Sequence, residues 1–78
     1  MEARGVNRRI EQLGGISVRQ VGSHRRYKIV YELDSGQQAT AYTTVPQHSG
    51  DIPIGTLRAI ERDLTPAFGS GWLRGERQ

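Results

Sequence analysis

The N-terminal part of the chain shows an apolar pattern of helical period and then one of strand period. Val6, Ile10 and Leu13 recur at spacings of four and three residues, which predicts one apolar face of a first helix. A pair of glycines follows directly and is expected to end that helix. Apolar and polar residues then alternate over residues 16–21, which is typical of a half-buried strand.

The alternation is clearest over residues 26–33, which are predicted to form a second strand. A turn-forming Asp-Ser-Gly sequence comes next, and residues 40–45 are rich in residues that favour strands, so a hairpin with a third strand is predicted. Pro46 is expected to end this third strand. The residues predicted to share the apolar face of the second strand are Tyr27, Ile29, Tyr31 and Leu33.

A second helical pattern occupies the C-terminal part of the chain. Leu57, Ile60 and Leu64 have helical spacing, and Thr65 with Pro66 is expected to close this helix. The order α-β-β-β-α predicts an α+β fold, in which two helices cover one face of a three-stranded antiparallel sheet. Double-stranded-RNA-binding domains share this arrangement, although a shared fold by itself does not establish a function.

The glycine-rich C-terminal segment does not match any regular element. We therefore predict a single domain over residues 1–68 and a flexible tail over residues 69–78, unless contacts hold Trp72 in place. A chain of 78 residues has room for one such domain, and it buries only a modest core.

Positive charge is concentrated in the N-terminal part of the chain. The formal net charge is +3, but residues 1–28 alone hold seven cations against two glutamates. Ten of the eleven cations are arginine, whose planar guanidinium suits phosphate oxygens. This distribution favours a polyanionic partner such as RNA, and the alternative is a solvated cationic surface.

Composition excludes several classes of chemistry. There is no cysteine, so disulfides, thiolate zinc sites and cysteine nucleophiles are ruled out, and a cytoplasmic location is expected. No apolar stretch has the length of a membrane helix or of a signal-peptide core, so neither membrane insertion nor export is expected.

Two histidines are the only side chains whose ordinary pKa lies near neutral pH. His24 is predicted in the turn between the first two strands, and His48 in a loop before the second helix. His48 is the weaker candidate and would assist only if its loop folded back toward His24. Residues around His24 that could bind phosphate are Ser23, Arg19, Arg25, Arg26 and Lys28.

This combination fits cleavage of RNA without a metal ion. The reaction needs a group that takes the proton of a 2′-hydroxyl, cations that stabilise the phosphoryl oxygens, and an acid that protonates the leaving oxygen. The alternative is that His24 is an ordinary solvated loop residue. No metal or cofactor is expected, because the carboxylates show no compact metal-binding spacing. The carboxylates considered are Asp34, Asp51, Glu61 and Asp63.

Three segments, in order, resemble the HicA toxin family. They are VRQVGSHRRY at 18–27, VPQHSGDI at 45–52 and GTLRAI at 55–60. The resemblance implies a double-stranded-RNA-binding-like fold, mRNA interferase activity and a HicB antitoxin partner. The Gly-Ser-His histidine, on which toxicity in the family depends, matches His24. His48 is carried over only as an assistant.

The sequence departs from the family pattern at three places. Gly15 stands where members often have a large apolar residue, the hairpin between the second and third strands is longer than usual, and the C-terminal end is glycine-rich. On the resemblance and the chemistry around His24, the leading hypothesis is an endoribonuclease toxin, with His24 as the acid-base residue and mRNA as its substrate. The alternative is a non-catalytic RNA-binding module or an inactive toxin that acts as an interaction protein.

Overall fold

The computed structural model describes residues 1–74 and has the predicted order of elements. Three antiparallel strands form one sheet in the order β1-β2-β3, and the two helices are packed on β2 and β3. The α+β prediction is therefore confirmed. The elements are α1 Ala3–Gln12, β1 Ile16–Val21, β2 His24–Glu32, β3 Gln38–Pro46, α2 Ile54–Phe68 and a short 3₁₀ helix Trp72–Arg74.

The core lies between the helices and one face of the sheet. On β2, Tyr27 and Ile29 are buried as the alternation predicts, Tyr31 is half-buried against the core, and Leu33 is exposed beyond the end of the strand. Period-two alternation directs every second side chain of β2 and β3 to this face. The remaining buried apolar residues of the core are Ala3, Val6, Ile10, Ala41, Val45, Ile52, Ile60, Leu64, Trp72 and Leu73.

The prediction that β1 is half-buried is wrong. All six of its residues are exposed, including Ile16 at 63 % and Val21 at 58 %. β1 is an edge strand, and it lies beyond the helices because they cover β2 and β3. The pairing of β1 with β2 also shifts between Ser17 and Arg19, which interrupts the alternation of faces. Leu13, predicted on the apolar face of α1, follows the last helical residue and is 36 % exposed, outside the core.

The second helix extends beyond the predicted end at Pro66, through Phe68. A proline this close to the end removes only one backbone donor of the last turn. Two other groups bond to the preceding turn: the Thr65 hydroxyl and the Trp72 indole both donate to the Glu61 carbonyl, at 2.7 and 2.9 Å.

The described part of the predicted flexible tail is packed on the core. Trp72 and Leu73 are only 3 % and 5 % exposed. The Trp72 ring makes an edge contact with Phe68, with 5.2 Å between the ring centroids, and its carbonyl accepts a 2.8 Å hydrogen bond from Arg9 Nε. Contacts therefore hold Trp72 in place, which is the exception allowed in the tail prediction, whereas residues 75–78 of the predicted tail lie outside the described residues. A domain boundary at residue 68 stays a prediction.

Candidate active site

The fold brings the two histidines together at one corner of the sheet. His24 is the first residue of β2 and pairs with Pro46, the last residue of β3. One residue further on, the Gln47 amide donates a 2.6 Å hydrogen bond to the Ser23 carbonyl, so the loop stays against the β1–β2 turn. The His24 and His48 rings therefore meet edge to face, with 6.3 Å between their centroids. We call residues 22–24 and 46–48 the histidine corner.

A partly buried amide pair fixes the loop of the histidine corner to α1. Asn7 Nδ2 donates to Gln47 Oε1 at 2.8 Å, and Gln47 Nε2 donates back to Asn7 Oδ1 at 3.1 Å. Gln47 Nε2 also donates to the Val45 carbonyl, at 3.1 Å. Polar groups paired in this way away from solvent hold one geometry, so α1 positions the backbone next to His48. Sequence reasoning missed this pair, since no local pattern links residues forty positions apart.

The strand alternation of β2 divides the candidate RNA-binding residues between two faces. His24 and Arg26 point to the sheet face that the helices leave uncovered, which we call the open face. Arg25 points to the other face, beside Tyr27 and α1. A shallow pocket of about 220 Å³ on the open face is lined by Arg19, Val21, His24, Arg26 and Thr44.

A larger depression of about 580 Å³, the helix-side groove, lies on the other side of the histidine corner. It contains Arg25 and His48, together with Arg4 and Arg8 from α1, which sequence reasoning did not assign to the site. Their four-residue spacing on a basic helix was an available signal. The other lining residues are Glu2, Ala3, Asn7, Glu11, Gln47 and Ser49.

The predicted phosphate-binding residues have defined neighbours on the sheet and in the β1–β2 turn. Arg19 and Arg26 are cross-strand partners, and Arg26 Nη1 donates to Thr44 Oγ1 at 3.3 Å. Lys28, two residues beyond Arg26, pairs with Tyr42 of β3. Arg25 Nε donates a 2.9 Å hydrogen bond to Gln20 Oε1 on β1. Ser23 lies half-buried in the turn before His24.

Tyr27 connects β2 to α1 through Glu11, one of the residues that line the helix-side groove. Its hydroxyl donates a 2.6 Å hydrogen bond to Glu11 Oε2. Burial raises the pKa of the Tyr27 phenol, the Glu11 carboxylate raises it further, and the Arg25 guanidinium acts in the opposite direction. The phenol is therefore protonated at neutral pH and serves as a donor to Glu11.

The described part of the chain contains neither a group of metal-binding side chains nor a membrane-spanning helix. Within residues 1–74, no three histidine, aspartate or glutamate side chains are grouped so that they could hold a metal ion. None of the helices in the same part of the chain is both long and apolar enough to span a membrane.

Comparison with known proteins identifies the family. The model of a family described as the HicA toxin of bacterial toxin–antitoxin systems matches residues 3–65, which is most of the chain. Neither the curated proteins nor the solved structures contain a significant match. The matched range includes both helices almost completely, all three strands and the histidine corner. The chain belongs to the HicA toxin family and is a toxin of a toxin–antitoxin system.

Proposed function

We propose that this toxin is a metal-independent endoribonuclease that cleaves mRNA, with His24 as its principal acid-base residue. The observation that carries the proposal is the convergence of His24 and His48, whose ring centroids lie 6.3 Å apart between two arginine-lined depressions. Both histidines are exposed, so a phosphate can approach them from solvent. An mRNA substrate implies action in the cytoplasm.

The proposed reaction is an attack by the 2′-oxygen on the adjacent phosphorus. His24 takes the proton of the 2′-hydroxyl as the new O–P bond forms, and the bond from phosphorus to the 5′-oxygen breaks. His48, as an assisting group, gives a proton to that leaving oxygen. The guanidinium of Arg25 or Arg26, or the Lys28 ammonium, stabilises the charge on the phosphoryl oxygens. The products are a cyclic phosphate and a 5′-hydroxyl.

A protein partner is part of the proposal. Membership of a toxin family implies an antitoxin, and we propose that it is HicB-like and inhibits the toxin by covering the histidine corner. The cations exposed on both sides of this corner favour an acidic surface on the partner. Such binding would also raise the stability of the toxin by mass action.

The test compares cleavage of a defined mRNA and its DNA copy in EDTA by the purified protein, without antitoxin. We expect fragments from RNA alone, because DNA lacks the 2′-hydroxyl. His24→Ala and His24→Gln should each lower the cleavage rate at least about a hundredfold, whereas His48→Ala should lower it less. Arg62→Ala on α2 is the matched control that removes a distant cation. RNA that is bound but stays intact would replace this proposal with the non-catalytic RNA-binding module.

A further inference from the structure

The open face of the sheet carries a paired cation and aromatic ring. The guanidinium carbon of Arg26 lies 4.7 Å from the centroid of the Tyr42 ring. The same guanidinium is also bonded to the Thr44 hydroxyl, so its position is set by two neighbours on β3. Tyr42 is 44 % exposed, although it is a large aromatic side chain in the middle of a strand. The ring therefore contributes little to the core and remains accessible.

The Arg26–Tyr42 pair belongs to a row of cations that leads to His24. His24, Arg26 and Lys28 are alternate residues of β2, and alternate side chains project from the same face. Arg19 pairs with Arg26 from one side, and Tyr42 pairs with Lys28 from the other. Two residues of strand span about 7 Å, so Arg26 is within one nucleotide of a phosphate held at His24.

We propose that Arg26 and Tyr42 form a stacking platform for one unpaired nucleobase, and that the RNA substrate crosses the open face as a single strand. This inference rests on the proposed function for the identity of the ligand. Guanidinium planes and aromatic rings are the groups on which proteins stack splayed bases, while nearby cations hold the phosphates. Bases inside a duplex are already stacked and cannot reach such a platform.

The chemistry of the platform also defines its selectivity. Every base presents a π-face, so stacking contributes affinity that tolerates changes in the RNA sequence.

The platform is also accessible to a ligand. Within residues 1–74, both helices are packed on the opposite face of the sheet, so no described element competes for the platform. The charge of the row complements a polyanion rather than an apolar peptide.

The test measures the Kd of the His24→Ala protein, which should not cleave, by fluorescence anisotropy. The probes are a single-stranded oligoribonucleotide, its duplex, and the same single strand with an abasic site. Tyr42→Thr keeps a residue suited to strands and should weaken single-strand binding about tenfold, with little effect on the duplex. Tyr42→Trp should retain binding. Val30→Thr, on the same face but outside the platform, is the matched control and should change neither Kd.

The inference is overturned if Tyr42→Thr leaves the single-strand Kd unchanged, or weakens single-strand and duplex binding equally. If the variant instead weakens binding of a HicB-like antitoxin, the open face is a protein interface. When the abasic site is at the position that weakens binding most, the strand should bind the His24→Ala protein about tenfold more weakly than the intact strand does, and adding Tyr42→Thr should weaken its binding no further. Thermal melting of each variant separates loss of the platform from loss of the fold. Cleavage by the wild-type protein is scored separately, so a failure of the proposed nuclease activity does not decide the binding result.

Discussion

At the scale of single residues, the bond between Tyr27 and Glu11 and the glycine at position 15 set the distance between α1 and the sheet. Tyr27 is completely buried and reaches the Glu11 carboxylate through its hydroxyl. Gly15 is buried beside Ile10, and a Cβ added there would clash with Ile10 Cγ2. A large residue at position 15 is therefore incompatible with this placement of α1.

Tyr27 gives the stability of the protein a defined dependence on alkaline pH. Because the folded pKa of its phenol is raised above 10.0, the folded state holds the proton after the unfolded state has lost it. Its contribution is complete below about pH 10 and is lost as the pH rises through the folded pKa. Tyr27→Phe should reduce the fall in Tm above pH 10, and should cost about 1 kcal/mol at neutral pH through loss of the Glu11 bond.

The matched control for this measurement is Tyr42→Phe, which removes a phenol from the open face instead of the core. It should keep the wild-type fall in Tm at alkaline pH. An alkaline transition of Tyr27→Phe as steep as that of the wild type would show that this phenol does not link folding to pH.

At the scale of elements, the C-terminal turn stabilises α2 and joins it to α1. The Trp72 indole bonds to the Glu61 carbonyl, and the Glu61 carboxylate accepts a 2.9 Å hydrogen bond from the Gly71 amide. The Trp72 carbonyl accepts the bond from Arg9 of α1. This turn therefore links α2 to α1 and adds Trp72 and Leu73 to the core.

Trp72→Ala should lower the free energy of unfolding by about 3 kcal/mol, because it removes a buried indole and its hydrogen bond. Trp72→Phe retains the ring contact with Phe68 and should lose about half as much. Chemical denaturation followed by circular dichroism measures both values. If Trp72→Ala unfolds at the wild-type midpoint, the packing of this turn contributes nothing to stability, and the domain can be taken to end at residue 68.

At the scale of the whole molecule, the histidine corner lies where two arginine-lined surfaces meet. One is the helix-side groove with Arg4 and Arg8, and the other is the open face with Arg19 and Arg26. A single strand that passes from one surface to the other would present a phosphate to both histidines. If RNA binds across both surfaces as proposed, most of the binding free energy should come from phosphate contacts and should depend on salt.

Affinity for a single-stranded oligoribonucleotide should therefore fall steeply as salt concentration rises. In the His24→Ala background, Arg8→Gln should reduce the slope of log Kd against log salt by about 0.7, the value for one phosphate contact. Arg62→Gln removes an equal charge from α2 and should leave the slope unchanged. Equal effects of the two substitutions would indicate that overall charge, rather than the helix-side groove, attracts the RNA.

The sequence by itself determined the order of elements and the buried face of β2, because period and turn chemistry are local properties of the chain. It also singled out His24 as the acid-base candidate, mainly through the resemblance to the HicA family, and that role stays a prediction. The family match confirms the resemblance carried by the three sequence segments, whereas the roles assigned to individual site residues stay predictions. Only the tertiary structure decided that β1 lies beyond the helices, that Trp72 is buried and that His48 meets His24. Each of these depends on contacts between residues distant in sequence, such as the Asn7–Gln47 amide pair, which no local pattern records.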